Sequence, residues 1–126
     1  MTHVAQPSVD EINGNLIALN ALAGIPLNKI IGFRAPYRNY TADTLKRLYA
    51  TKFTYDSSAA TTRPVTDPNT DAYWPYTLDY GMANGCFSVP DICRGEPKLP
   101  GLWEVPMYTF FDSRGASGPH LMDPWL

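Results

Sequence analysis

The stretch IIGFRAPYRNYTADTLKRLYATKFTYDSS, residues 30–58, combines two apolar runs with an amphipathic segment between them. The run KIIGF (29–33) predicts a short buried strand that ends near Arg34. Thr41 is a favoured helix N-cap residue and predicts the start of a helix. FTYD (53–56) predicts the next strand. A strand, a helix and a strand joined by short links are typical of a parallel sheet, so this stretch predicts an α/β fold.

A second helix signal precedes this stretch. Ser8 and Glu11 have the spacing of a capping box, and Gly24 followed by Pro26 predicts where the helix ends. The apolar residues of this helix predict one buried stripe: Val9, Ile12, Leu16, Leu19 and Ala23. The helix that Thr41 begins has a predicted inner face made of Leu45, Leu48 and Tyr49.

The second half of the chain differs in texture. Residues 61–126 are rich in Pro, Gly and aromatic residues and predict long ordered loops around one or two strands. LWEVPMYTFF (102–111) is the main strand candidate there, and Pro106 predicts an edge strand or an interrupted one. Cys86 and Cys93 predict a local disulfide of a secreted protein, with two reduced buried cysteines as the alternative.

Composition limits the class of protein. The chain has 126 residues, 44% hydrophobic and 17% charged, which suits one globular domain. Its net charge is −2 and it has no block of Lys or Arg, so nucleic-acid binding is not indicated. No apolar run approaches the roughly 18 residues that a membrane span requires.

Polar residues follow both predicted strands of the opening stretch. Arg34 to Tyr37 come after the first strand, and Asp56 to Ser58 end the second. Because the carboxyl ends of parallel strands meet at one edge of a sheet, where α/β proteins place their chemistry, Arg34 and Asp56 can come together. An ordinary salt bridge that closes the sheet is the alternative interpretation.

Four motifs follow one another along the chain: Arg34-Ala35-Pro36-Tyr37 (RAPY), Tyr55-Asp56-Ser57-Ser58 (YDSS), WPYTLDY (74–80) and PGLWEVPMY (100–108). As an ordered set they resemble the polysaccharide deacetylase superfamily, in its chitin deacetylase-like branch (NodB homology, carbohydrate esterase family 4). The resemblance covers nearly the whole chain. It implies a distorted (β/α) barrel with a long loop-rich C-terminal half. It also implies that residues 1–126 are one partial domain, truncated at both ends.

The resemblance further implies a divalent metal ion, usually Zn²⁺, held by one Asp and by two His of a His-Ser/Thr-x-x-His motif. His3 matches the second His, and the first would lie two residues before Met1. The Asp-Asp motif that carries the general base would also precede the chain. A histidine on a loose tail is the alternative for His3. The family's general-acid His has a Leu two residues before it, but Gly118 holds that place before His120, so this role is not assigned to His120.

The resemblance assigns roles around the RAPY motif. Arg34 would orient the catalytic Asp and lower its pKa, and the backbone N–H of Tyr37 would face the oxyanion. Asp56 would complete the charge network near Arg34, while Pro36 stiffens the turn. Pro36 and Tyr37 would also contact the sugar. Four further aromatic residues are candidates for sugar contact, with packing in the loops as the alternative role: Trp74, Tyr76, Tyr80 and Trp103.

The expected function is metal-dependent hydrolytic N-deacetylation of an acetylated amino-sugar polymer, chitin in the first place, by a secreted or extracellular enzyme. We expect the 126-residue chain alone to fold poorly and to be inactive. A non-catalytic homologue that binds carbohydrate is the alternative. A third interpretation is a small secreted disulfide protein, although one Cys pair would then have to stabilise an open half-sheet.

Overall fold

The computed structural model describes residues 8–64, 74–83, 92 and 94–109. Their helices are α1 (Val9–Ala23) and α2 (Ala42–Ala50), with short 3₁₀ turns at Leu27–Lys29 and Pro36–Arg38. Their strands are β1 (Gly32–Phe33), β2 (Tyr55–Asp56), β3 (Ala60–Pro64), β4 (Tyr76–Leu78), β5 (Leu99–Glu104) and β6 (Met107–Thr109). Within these ranges, no helix has the length and apolar character needed to cross a membrane.

The strands form two small sheets. The larger has the order β1-β2-β5-β4, in which β1, β2 and β5 are parallel and β4 runs antiparallel to β5. The smaller pairs β3 with β6 in parallel. The predicted parallel pairing of the first two strands is therefore confirmed. The predicted interruption near Pro106 is confirmed as well, because Val105 and Pro106 separate β5 from β6.

Helix α1 begins at the predicted capping box. Ser8 Oγ accepts from the Glu11 N–H at 3.1 Å, and the Glu11 carboxylate accepts from the Ser8 N–H at 2.9 Å. Gly24 ends the helix with φ +65°, as expected. The predicted buried stripe is wrong in part, because Ile12 is buried and Leu16 packs against the core, whereas the other three residues are exposed: Val9, Leu19 and Ala23. Apolar periodicity indicates a face but does not show what covers it.

Helix α2 begins at Thr41, whose hydroxyl accepts from the Thr44 N–H at 3.3 Å. Leu45 and Leu48 are fully buried, as predicted. Tyr49 is 45% exposed, so its assignment to the inner face is wrong. The helical step of about 100° puts Tyr49 just outside the arc that Thr44, Leu45 and Leu48 bury.

The first two strands are shorter than their apolar runs. The Ile31 carbonyl accepts from the N–H groups of both Thr54 and Tyr55, and the regular ladder begins only after this point. The core lies on the α2 side of the larger sheet, where the fully buried leucines of helix and strands meet: Leu45, Leu48, Leu78 and Leu102.

Candidate functional site

The carboxyl ends of β1, β2 and β5 bring one row of side chains together. Phe33 is in register with Asp56, Asp56 with Glu104, and Glu104 with Tyr76 of β4. Residues in register on neighbouring strands point to the same face of a sheet. Two carboxyl groups are thus cross-strand neighbours on the core face, and both residues are 0% exposed.

The side chain of Arg34 ties the end of β1 to the end of β2. Its Nε donates to the Ser57 carbonyl at 3.2 Å, and its Nη2 donates to Ser57 Oγ at 3.0 Å. Ser57 Oγ donates in turn to the Val105 carbonyl at 2.8 Å, just after β5. The guanidinium therefore binds Ser57, whereas the neighbouring Asp56 points into the core.

Ser58 links the RAPY turn, Arg34–Tyr37, to the buried carboxylate. Its Oγ accepts from the Ala35 N–H at 2.9 Å and donates to Asp56 Oδ1 at 2.8 Å. The Ser58 N–H donates to Asp56 Oδ2 at 3.0 Å. Ser58 therefore binds both oxygens of Asp56, and its hydroxyl also accepts a hydrogen bond from the RAPY turn. These residues form the strand-end cluster: Arg34, Ala35, Asp56, Ser57, Ser58 and Glu104.

Glu104 is the less satisfied of the two carboxyl groups. Its Oε1 accepts from the Ala59 N–H at 3.2 Å. Its Oε2 is buried and has no hydrogen-bond donor to accept from in the described part of the chain. Burial, followed by the charge of Asp56, raises the pKa of Glu104 to about 10. Burial also raises the pKa of Asp56, but the bonds from Ser58 oppose that rise.

A buried phenol lies near this carboxyl pair. Tyr40 is 5% exposed, and its pKa is raised strongly by burial and then by the charges of Glu104 and Asp56. The positive charge of Arg38 has the opposite effect and lowers the pKa of Tyr40. Tyr40 therefore remains a neutral phenol.

The RAPY turn has an unusual backbone. Tyr37 and the following Arg38 both have positive φ, +53° and +54°. Two backbone hydrogen bonds close the turn. The Arg38 N–H donates to the Ala35 carbonyl at 2.9 Å, and the Asn39 N–H donates to the Pro36 carbonyl at 3.0 Å. A left-handed conformation costs a non-glycine residue about 1–3 kcal/mol and occurs preferentially at functional sites. The same turn leaves the Tyr37 side chain 80% exposed.

The predicted sugar-contacting residues differ in their surroundings. Trp74 and Tyr80 are 85% and 87% exposed, which leaves their rings open to a ligand. Tyr76 is half-buried, and its hydroxyl accepts from the Ala83 N–H at 3.1 Å. Trp103 is partly exposed and, by strand alternation, lies on the opposite face of β5 from Glu104. Pro36 lies within the turn beside Tyr37.

Three residues assigned from the sequence lie outside the described residues: His3, Cys86 and Cys93. The metal-ligand role of His3 and the disulfide stay predictions. Across residues 8–64, 74–83, 92 and 94–109, no group of three or more His, Cys, Asp or Glu side chains is placed to hold a metal ion. The described residues alone therefore do not form a metal centre.

Sequence reasoning placed Ser58 at the end of the second strand without assigning it a contact, and it missed Glu104 and Tyr40. Glu104 had a usable signal. In the run Leu102-Trp103-Glu104 a strand points Leu102 and Glu104 to the same face, so a buried Leu102 predicts a buried carboxyl group. Ser58 and Tyr40 carry no comparable local signal, because their contacts depend on strand register.

No protein-family model matches the chain, and no curated protein matches it significantly.

Proposed function

We propose that this protein is a metal-dependent polysaccharide deacetylase that hydrolyses the N-acetyl groups of an acetylated amino-sugar polymer, with chitin as the first candidate substrate and acetate as product. The observation that carries the proposal is the contact between two motifs of the resemblance. The Ala35 N–H of RAPY donates to Ser58 Oγ of YDSS, although these residues are 23 positions apart. These two motifs of the resemblance thus form one structural unit at the strand ends.

The geometry of the RAPY turn suits the roles that the proposal gives it. The guanidinium of Arg34 is held by Ser57 through two atoms, and this fixes its plane. A fixed guanidinium can orient a carboxylate and hold it in its ionised form. The strained, exposed turn at Tyr37 can present the backbone to a polarised carbonyl oxygen.

Three further features belong to the proposal through the resemblance. Zn²⁺, with His3 among its ligands, would supply an acidified water molecule. The larger sheet would be part of a distorted (β/α) barrel, which the parallel order of β1, β2 and β5 supports. Secretion, with a Cys86–Cys93 disulfide, would complete the assignment.

The test measures acetate released from chitin oligosaccharides by the complete gene product. We expect release, its loss on chelation, and recovery with Zn²⁺. Arg34→Lys keeps the charge but loses the planar fork, so we expect kcat to fall by about 10²-fold or more, as when a general base is disabled.

Arg94→Lys is the matched control, because Arg94 also donates to a backbone carbonyl, that of Ala83 at 3.0 Å, but lies outside the strand-end cluster. Its kcat should equal that of the unchanged protein. Saturable retention on chitin without acetate release would instead establish the carbohydrate-binding alternative, which the exposed rings of Trp74 and Tyr80 favour. Activity that is insensitive to chelation would overturn the metal dependence.

A further inference from the structure

Glu104 is a buried carboxyl group of the strand-end cluster, and the proposed function gives it no role. It lies in register with Asp56 on the neighbouring parallel strand, and both residues are fully buried. Two buried carboxylates side by side cannot both be ionised at low cost, because each raises the energy of the other's charged form. One of the two must therefore hold a proton.

The hydrogen bonds identify which group that is. Asp56 accepts on both oxygens, from the Ser58 N–H at 3.0 Å and from Ser58 Oγ at 2.8 Å. Glu104 accepts only on Oε1, from the Ala59 N–H at 3.2 Å. Its Oε2 accepts from no donor among the described residues. A protonated Oε2 becomes a donor, and its carboxylate neighbour Asp56 is an acceptor.

We propose that Asp56 and Glu104 act as one singly charged unit, with the shared proton on Glu104, and that this unit positions the RAPY turn through Ser58. Neutral Glu104 leaves one negative charge on Asp56. That charge holds the Ser58 hydroxyl, which in turn accepts from the Ala35 N–H at 2.9 Å. Glu104 is thus a positioning residue that acts on the turn through two intermediates.

The groups around the pair are consistent with a neutral Glu104. Tyr76 of β4 is its cross-strand neighbour on the other side, and Tyr40 packs near both carboxyl groups. Both are phenols, which carry no positive charge. Arg38 lowers the pKa of Tyr40, and Arg34 donates to Ser57. In the contacts described, neither guanidinium is the direct partner of Glu104.

The first experiment detects the proton directly. Infrared absorption of a protonated carboxyl C=O is measured at neutral pH in the complete gene product, where exposed carboxyl groups are ionised. We expect this band in the unchanged protein and in Glu96→Gln, which removes an exposed carboxyl group. We expect its loss in Glu104→Gln. A missing band in the unchanged protein, or a band that persists in Glu104→Gln, would overturn the proposal.

The second experiment tests positioning. Amide exchange at Ala35 should accelerate by about 10-fold in Glu104→Ala and in Ser58→Ala, which break the path to the turn. Glu104→Gln keeps a neutral donor of the same shape and should restore the slow rate. If Glu104→Ala does not fold, Ser58→Ala and Glu104→Gln still give the comparison. Unchanged exchange in Ser58→Ala would refute the positioning role.

Both readouts need no substrate and no metal, since the inference rests on the hydrogen bonds of the strand-end cluster and not on the proposed function. A protein that releases no acetate can still show the carboxyl band and the exchange pattern. Failure of the deacetylase assay and failure of this inference are therefore separate results.

Discussion

The backbone at Gly81 shows how one residue can be fixed by a close approach. Its φ is +81°, and a Cβ there would overlap the backbone of Gly95 and Glu96. Backbone atoms cannot swing aside as a flexible side chain can. We therefore expect Gly81→Ala to lower the free energy of unfolding by about 2–4 kcal/mol, from the left-handed backbone and the overlap together. Urea denaturation of the complete gene product measures this loss.

Gly101 provides the matched comparison. Its φ is +85°, but nothing lies within 4 Å of where its Cβ would be. Gly101→Ala should therefore lower the free energy of unfolding by only the cost of the left-handed backbone, about 1 kcal/mol. Equal losses at the two positions would show that the close approach at Gly81 contributes nothing.

At the scale of elements, helix α2 ends in a motif that normally contains glycine. The Phe53 N–H donates to the Leu48 carbonyl at 3.0 Å, and the Lys52 N–H donates to the Tyr49 carbonyl at 3.1 Å. This is the Schellman pattern, and its left-handed position is taken by Lys52 with φ +62°. Lys52→Gly should therefore raise the free energy of unfolding by about 1 kcal/mol, because the side chain opposes this conformation.

Lys52→Ala separates the backbone effect from loss of the lysine charge. Alanine keeps the Cβ, so its stability should stay within about 0.5 kcal/mol of the unchanged protein. Thermal melting of the three proteins side by side gives the order. If alanine stabilises as much as glycine, the strain at Lys52 is not the cause.

The elements also show what a sequence can predict. The helix ends follow from local contacts, so the residue types and spacing around Ser8, Thr41 and Gly24 are enough to identify them as caps. Strand lengths are not predictable in this way, because a ladder depends on a partner distant in sequence. The buried stripe of α1 was overestimated for the same reason, since Val9 and Leu19 require a neighbour that periodicity does not specify.

At the scale of the whole molecule, the sequence predicts where the candidate site lies but not which of its residues bind one another. The rule that parallel strands place chemistry at their carboxyl ends correctly selected Arg34 and Asp56 as residues of one edge. It could not show that Arg34 binds Ser57, because that depends on the offset between β1 and β2. Strand alternation predicts that Glu104 is buried, but its pairing with Asp56 appears only when β5 lies beside β2.

The buried carboxyl pair sets the pH dependence of the whole molecule's stability. The pKa of Glu104 is about 10 in the folded protein and is raised from 4.5, so the folded state keeps a proton that the unfolded state releases. This contribution is fully present below about pH 4.5 and is lost as the pH rises toward 10. Burial raises the pKa of Asp56 too, so Asp56 contributes with the same sign.

We therefore expect the free energy of unfolding to fall as the pH rises above about 5, by up to about 1.4 kcal/mol per pH unit for one retained proton. Paired surface carboxylates, whose pKa is lowered by folding, would give the opposite slope. Urea titrations of the complete gene product at a series of pH values measure the slope, and Glu104→Gln should flatten it because glutamine does not ionise. A stability that does not fall between about pH 5 and about pH 9 would mean that the folded protein retains no proton on the pair, and that the proton has been misassigned.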